Sequence, residues 1–295
     1  GVLCERAQVK YAFIHSERKR HYVSRLCSVL NVSTSGYYDW IDRPASKTEK
    51  INQRLVTKIR CYHKASRQTY GAPRIQKDLL ASGETASRQR VARLMRAEQI
   101  QSKMAKRFVV TTNSKGTTAP APDRLQRRFK TELKNEAWVS DTTFIRTRQG
   151  WLYLAVMMDL YSRKIIGWAM SDRNDSTLVA DALMMAVWRR GKLKGVTVHS
   201  DQGSTYASGS YRKLLQQNDL LCSMSRKGEC HDNAVAESFF GTLKTELVDD
   251  EDYRTKEDAR QSIFEYIEVF YNRQRRHSYL GYVSPYEYER AQALN

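Results

Sequence analysis

The chain has 295 residues, with 50 Lys and Arg against 32 Asp and Glu, a formal net charge of +18 and a mean hydropathy of −0.65. No apolar run approaches the roughly 18 residues of a membrane span and no secretory leader is recognisable, so the expectation is a cytoplasmic protein without a membrane partner. Five scattered cysteines (Cys4, Cys27, Cys61, Cys222 and Cys230) form no CxxC pair, which predicts reduced thiols and argues against a structural zinc site.

The charge is unevenly placed. Residues 1–130 carry 28 basic and 9 acidic side chains, a balance of +19, whereas residues 131–295 carry 22 and 23. A field that basic favours a polyanion, with DNA the simplest candidate and RNA or an acidic membrane surface the others. The length allows two or three domains.

Residues 1–45 open with the basic cluster Arg18-Lys19-Arg20. Val23, Leu26, Cys27 and Leu30 then fall at helical spacing, Asn31 to Gly36 is turn chemistry, and Tyr37 to Ile41 resumes, the outline of a helix-turn-helix-like segment. In residues 46–106 the pattern predicts helices over Lys50–Ala65, Pro73–Ala81 and Ser87–Gln99, a second all-α helix-turn-helix-like module. In its third helix Val91, Leu94 and Met95 form an apolar stripe while Arg88, Arg93 and Arg96 project elsewhere. That pattern suits a recognition helix reaching DNA, or an Arg-rich solvated face. Residues 107–135 read as a linker, since Thr111 to Pro122 has almost no core-forming content, and Arg124, Arg127, Arg128 and Lys130 follow it.

From residue 136 to 295 the pattern turns α/β. Strands are expected over Trp138–Ile145, Trp151–Asp159, Lys164–Met170, Val196–His199 and Leu220–Met224, with helices over Ser176–Arg190 and Ser208–Asn218. Asp159 near a strand end is expected to pair with Arg163 across the turn. A further helix begins near Asp232, read as its N-cap, and gathers Val235, Phe239, Leu243 and Leu247 on one side. Glu237 and Lys244 fall together on the other, two turns and about 10 Å apart. A last long helix is expected over Lys256–Arg273.

Three acids stand out by position. Asp141 lies inside the first strand, Asp201 ends the fourth in His199-Ser200-Asp201-Gln202-Gly203, and Glu237 follows after 35 intervening residues, with Lys244 seven beyond it. With these motifs, and with Tyr271-Asn272-Arg273-Gln274-Arg275-Arg276-His277 and Leu280-Gly281-Tyr282-Val283-Ser284-Pro285 near the end, the chain resembles the DDE transposases and retroviral integrases. It is most similar to the second-frame (OrfB-type) transposases of the bacterial insertion sequence three family.

The resemblance implies an RNase H-like integrase catalytic core preceded by small helix-turn-helix-like DNA-binding modules. It also implies cleavage of transposon ends by water and attack of the freed 3′-OH on another strand. Asp141, Asp201 and Glu237 would be the catalytic metal ligands, holding two Mg²⁺ ions for which Mn²⁺ can substitute, because hard cations want carboxylate oxygens. Lys244, Asn233, Arg226 and Lys227 would face DNA at the catalytic helix and its preceding loop. Partners implied are transposon inverted ends and target DNA, further copies of the chain on DNA, and a first-frame helix-turn-helix protein, fused or separate, in a bacterial cytoplasm at the nucleoid. A metal-dependent nuclease of the same fold, or a DNA-binding protein without strand transfer, is the alternative. Two departures are visible. Nothing matches the His/Cys zinc module of retroviral integrases, and Glu229 stands where the close family usually has Asn. The basic residues near His277 suit either DNA contact or core closure.

Overall fold

The computed structural model describes residues 4–44, 46–103, 121–226 and 229–293. The chain divides into two compact units, Gly1–Lys58 and Ile59–Asn295. The division falls inside α4 (Lys47–Ala65), twelve residues past the boundary suggested near residue 46, which itself lies in the break between two helices.

In the first unit, α1 (Ala7–Glu17), α2 (Val23–Val29) and α3 (Thr34–Asp42) enclose a small core of Ile14, Cys27, Leu30 and Tyr37. Ser33 caps α3 by accepting from the Gly36 amide, so the polar turn read from the sequence ends as a helix cap. α1 adds to the expected pair. Its apolar residues follow no single stripe and only Ile14 is buried.

The second unit begins with the end of α4, then α5 (Ala72–Ala81) and α6 (Arg88–Ala97). α5 stops at a Gly83 with φ +80°. There the Gly83 amide donates to the Leu80 carbonyl and the Glu84 amide to that of Leu79, the paired closure that a left-handed glycine allows. Ser87 then caps α6. Val91, Leu94 and Met95 are buried while Arg88, Arg93 and Arg96 are exposed, as the stripe predicted.

The five-stranded sheet has the order β3-β2-β1-β4-β5. β1 (Ala137–Thr147), β2 (Gly150–Asp159) and β3 (Ile165–Ser171) form an antiparallel meander. β4 (Thr197–Ser200) and β5 (Leu221–Met224) run parallel to β1. One face packs on α7 (Ser176–Arg190), α8 (Ser204–Ala207) and α9 (Gly209–Gln217) through Trp138, Met157, Leu183, Val198, Tyr206 and Leu215 among others. Gly167 permits this approach, because a Cβ there would lie 2.1 Å from the Ala182 carbonyl oxygen of α7.

After the sheet come α10 (Ala234–Glu246), α11 (Lys256–Phe264) and α12 (Pro285–Ala293). α11 opens with a reciprocal Thr255–Asp258 capping box and continues as a π-helical stretch over Glu265–Tyr271. The expected single helix to Arg273 is therefore replaced by a wider coil in its last part. That part turns two adjacent pairs of large side chains inward, Tyr266 with Ile267 and Phe270 with Tyr271.

Three further expectations are corrected. Asp159 pairs with Arg190 of α7 at 3.1 Å. The Arg163 guanidinium instead donates to the Phe129 carbonyl and lies over the Tyr279 ring. Glu289 of α12 joins this cluster from Arg190 and Lys164. The linker reading fails from Ala121 onward: Leu125 is buried and the Arg124 amide donates to Ser223 Oγ at 2.9 Å. Residues 107–120 of that linker lie outside the described residues. The basic C-terminal motif closes the core. Arg275 forks onto Glu246, and Arg276 binds Asp78 of α5 at 2.6 Å while its amide donates to the Tyr70 hydroxyl. No helix among the described residues is long and apolar enough to cross a membrane.

Candidate active site

Parallel pairing brings the first two acids to one end of neighbouring strands. Ala137, Trp138 and Val139 of β1 face Thr197, Val198 and His199 of β4. Asp141 lies two residues beyond that pairing, and Asp201 follows directly after the last residue of β4. Asp141 is half-buried, and its Oδ1 accepts from the Thr142 amide at 2.8 Å. Asp201 sits at the open end of β4, where its Oδ1 accepts from the Gly203 amide at 2.9 Å. A side chain at Gly203 would press on that same oxygen.

Glu237 enters from the first turn of α10, where the helix dipole favours a carboxylate. Burial pushes the Asp141 carboxyl well above the usual range, the charges of Asp201 and Glu237 push it further, and the Thr142 amide and the Lys244 ammonium pull it back. Asp201 is exposed, yet enough protein surrounds its carboxyl to raise it, against the Gly203 amide. Asp201, Glu237 and Lys244 are thus all within electrostatic reach of Asp141. A like-charged set of this kind calls for a counter-cation, and its donors, all carboxylate oxygens, suit a hard one such as Mg²⁺. The fit is one of donor type and convergence: among the described residues no three acidic, His or Cys groups form a ready-closed metal cage.

Lys244 Nζ lies 5.2 Å from the centroid of the Phe144 ring. That ring packs edge-on against Trp151 at 5.0 Å, and both aromatics are partly exposed. The Lys244 charge is therefore held beside β1 at the level of the acids by a cation–π contact.

The loop before α10 departs from expectation. Asp232 does not cap the helix, because two guanidinium groups take its carboxylate. Arg226 binds it through Nε at 3.1 Å and Arg127 through Nε at 2.6 Å, and this holds its pKa far below the usual range. Asn233 is buried, 3% exposed, and donates to the Ser140 carbonyl at 3.1 Å, so it looks into the protein and not toward DNA. Arg226 keeps half its side chain in solvent while bound to Asp232. Lys227 lies outside the described residues. Glu229 pairs with Arg127 at 2.6 Å, so the charge of this unusual acid is balanced from the segment before β1. The expected stripe of α10 holds at Phe239, Leu243 and Leu247, all buried, and is widened by Ala236 and Phe240, with Val235 only half-buried. His277 is held locally, its Nε2 meeting Arg275 Nη1 at 3.4 Å. Its ring stacks edge-on against Tyr271, and burial with three neighbouring Arg charges keeps it well below the usual imidazole pKa.

Residues 132–230 and 237–294 each match the integrase core domain, and residues 50–108 match an HTH-like domain. The transposase InsF for insertion sequence IS3A of Escherichia coli (strain K12) is 38% identical over 283 residues, 95% of this chain and 98% of that relative. The chain belongs to the IS3 family of transposases. The transposase is also 42% identical to the insertion element IS600 uncharacterized 31 kDa protein of Shigella sonnei, over 88% of the chain and 96% of that protein. Among solved structures, the HTLV-2 integrase catalytic core domain in complex with magnesium (trimeric form) aligns with a TM-score of 0.41 and 15% identity, covering 53% of this chain and 97% of that one. The integrase core domain and the HTH-like domain are thus the two family domains that the transposase carries.

Sequence reasoning named the acids and Lys244 but missed Ser140 and Tyr206 beside them, and Arg127 as the partner of Asp232 and Glu229. Ser140 and Tyr206 carry no periodic signal, being polar residues buried by long-range packing. Arg127 was visible only as one more basic side chain.

Proposed function

We propose that the transposase cuts transposon ends and joins them to target DNA through the 3′-OH, with Asp141, Asp201 and Glu237 as the carboxylates that hold Mg²⁺, two ions in number, or Mn²⁺ in their place. The observation carrying this reading is the placement of three acids on adjoining elements, Asp141 on β1, Asp201 directly after the parallel β4 and Glu237 in the first turn of α10, which packs on β1. Such ions, when bound, activate the attacking oxygen and stabilise the leaving one. The protein's own contribution is alignment and charge. β1 and β4 bring two acids to one end of neighbouring strands, α10 brings the third, and the Lys244 ammonium supplies a point charge for a neighbouring phosphate. Arg226, Arg88, Arg93 and Arg96 are assigned to phosphate or base contact, with DNA held by the HTH-like domain. Joining two ends implies more than one copy on DNA, and a first-frame partner protein belongs to the same proposal.

The test is a cleavage and joining assay on DNA carrying matched inverted ends. Asp141→Asn, Asp201→Asn and Glu237→Gln are each expected to reduce both products to background with DNA binding retained, and activity is expected to require Mg²⁺ or Mn²⁺. Full activity of any one variant, or in EDTA, refutes the proposal. Cleavage without joined product assigns a nuclease instead.

A further inference from the structure

The three acids sit on three different elements, and one buried hydrogen-bonded group ties those elements together. Ser140 immediately precedes Asp141 on β1. Its hydroxyl donates to the Val156 carbonyl of β2 at 2.9 Å, which uses its only proton. The 2.9 Å contact between Ser140 Oγ and the Tyr206 hydroxyl therefore runs from Tyr206 into Ser140. Tyr206 stands on α8, five residues after Asp201. The backbone carbonyl of Ser140 accepts from Asn233 Nδ2 at 3.1 Å, and Asn233 stands just before α10, four residues and about one helical turn before Glu237. One residue of β1 thus receives a hydrogen bond from the element beside each of the other two acids.

All three residues are shut away from solvent: Ser140 is 0%, Tyr206 1% and Asn233 3% exposed. The Tyr206 hydroxyl also lies near enough to feel the charges of Asp141 and Asp201. Asn233 Oδ1 is buried with no hydrogen-bond partner. The side-chain amide nitrogen is the end that meets β1, so this asparagine fixes the start of α10 against the strand that carries Asp141.

We infer that Ser140, Tyr206 and Asn233 act as one positioning hub that sets the spacing of Asp141, Asp201 and Glu237 around the reacting phosphate. The inference rests on the reading of those acids as the catalytic set. None of the three touches substrate. They act through the carboxylates, whose placement matters because a displacement of about 1 Å can slow a reaction on the order of a hundredfold.

Tyr206→Phe removes one hydroxyl and little else, and Asn233→Ala removes both the grip on Ser140 and the partnerless oxygen. In the full chain, both are measured for single-turnover end cleavage at saturating DNA, affinity for end DNA, Mn²⁺ affinity by calorimetry, and melting temperature. Each variant is expected to cleave roughly ten- to a hundredfold more slowly, to bind Mn²⁺ more weakly, and to bind end DNA as the parent does. Asn233→Ala is expected to keep the parent melting temperature. The double variant is expected to be no slower than the slower single one, since a hub is broken only once. Parent-like rate and Mn²⁺ affinity in both single variants, or multiplying losses in the double, overturn the hub. So does a rate loss that follows lost melting temperature and lost DNA affinity together. Should Tyr206→Phe not fold, Asn233→Ala alone carries the same decision, and Ser140→Thr, which keeps the hydroxyl, should outpace Ser140→Ala. Asp141→Asn separates the two levels. Activity in that variant defeats the carboxylate reading, whereas an inactive Asp141→Asn beside parent-like hub variants defeats the hub alone.

Discussion

Glu246 ends α10, the helix that starts near Glu237, and its carboxylate is the sharpest stability test in the catalytic unit. Arg275 reaches it in a fork, Nη2 to Oε1 at 2.7 Å and Nε to Oε2 at 2.8 Å, and the Tyr266 hydroxyl donates to Oε2 at 2.8 Å. The two charged side chains are only 6% and 7% exposed, so screening by solvent is weak and the surface-pair value of under about 1 kcal/mol does not apply. Glu246→Ala leaves a buried guanidinium with no anion and a buried phenol with no acceptor, a loss of about 3–5 kcal/mol. At about 2–4 °C per kcal/mol for a unit of this size, the melting temperature should fall by roughly 6–20 °C. Near-UV circular dichroism during thermal unfolding measures it. A double replacement, Glu246→Leu with Arg275→Met, removes both charges together and should recover most of the loss, because desolvating the pair was itself unfavourable. The reasoning is refuted if Glu246→Ala stays within about 1 kcal/mol of the parent, or if the double variant is no better than the single one.

Three other outcomes are expected. Lys244→Ala should impair engagement of end DNA and joining while Mn²⁺ affinity persists, and Lys244→Arg should retain part of the activity. Normal transposition by Lys244→Ala, with crosslinks from position 244 missing the ends, would return it to an ordinary surface role. Arg93→Ala and Arg96→Ala should each weaken DNA binding and lower the salt slope by about one, and unchanged affinity and slope for both would remove the recognition-helix reading. Burial raises the Asp159 carboxyl from 3.8 to about 6 despite Arg190, so folding favours its protonated form and stability is gained as pH falls through about 6. Glu289 is held down to about 2 mainly by Arg190, against its burial, so its contribution is present above about 4.5 and is lost only toward pH 2. Between pH 7 and 5 the parent should therefore gain stability relative to Asp159→Asn in urea titrations, and a constant or opposite difference contradicts the assignment.

Local pattern placed the acids and Lys244, and the family resemblance assigned them their chemistry. Asp141 and Asp201 stand in apolar strand runs where a charge needs a reason, and Glu237 with Lys244 share a helix side because two turns separate them. Arg88, Arg93 and Arg96 are exposed for the same cause, a stripe of Val91, Leu94 and Met95 that leaves them outward. Such features follow from periodicity, which depends on neighbours a few residues away. The helix-turn-helix-like outline, the antiparallel meander and the later strand–helix alternation were legible on that basis.

Partner choice among polar groups was not. Asp159 took Arg190 over the nearby Arg163, and Asp232 took Arg226 and Arg127 over the start of α10. Arg275 turned inward to Glu246, and Asn233 turned inward to Ser140. Each of these bonds except that between Asp232 and Arg226 joins residues tens of positions apart. Which donor reaches which acceptor is settled only when strands register and helices dock, because a buried charge or amide takes whichever partner packing delivers. The sequence alone determined that one acid lies inside a strand, one at a strand end, and the third with a lysine on one helix side. Only the tertiary structure decided that parallel pairing brings Asp141 and Asp201 to one end of neighbouring strands, that α10 sets Glu237 against them, and that Ser140 lies at the junction of all three.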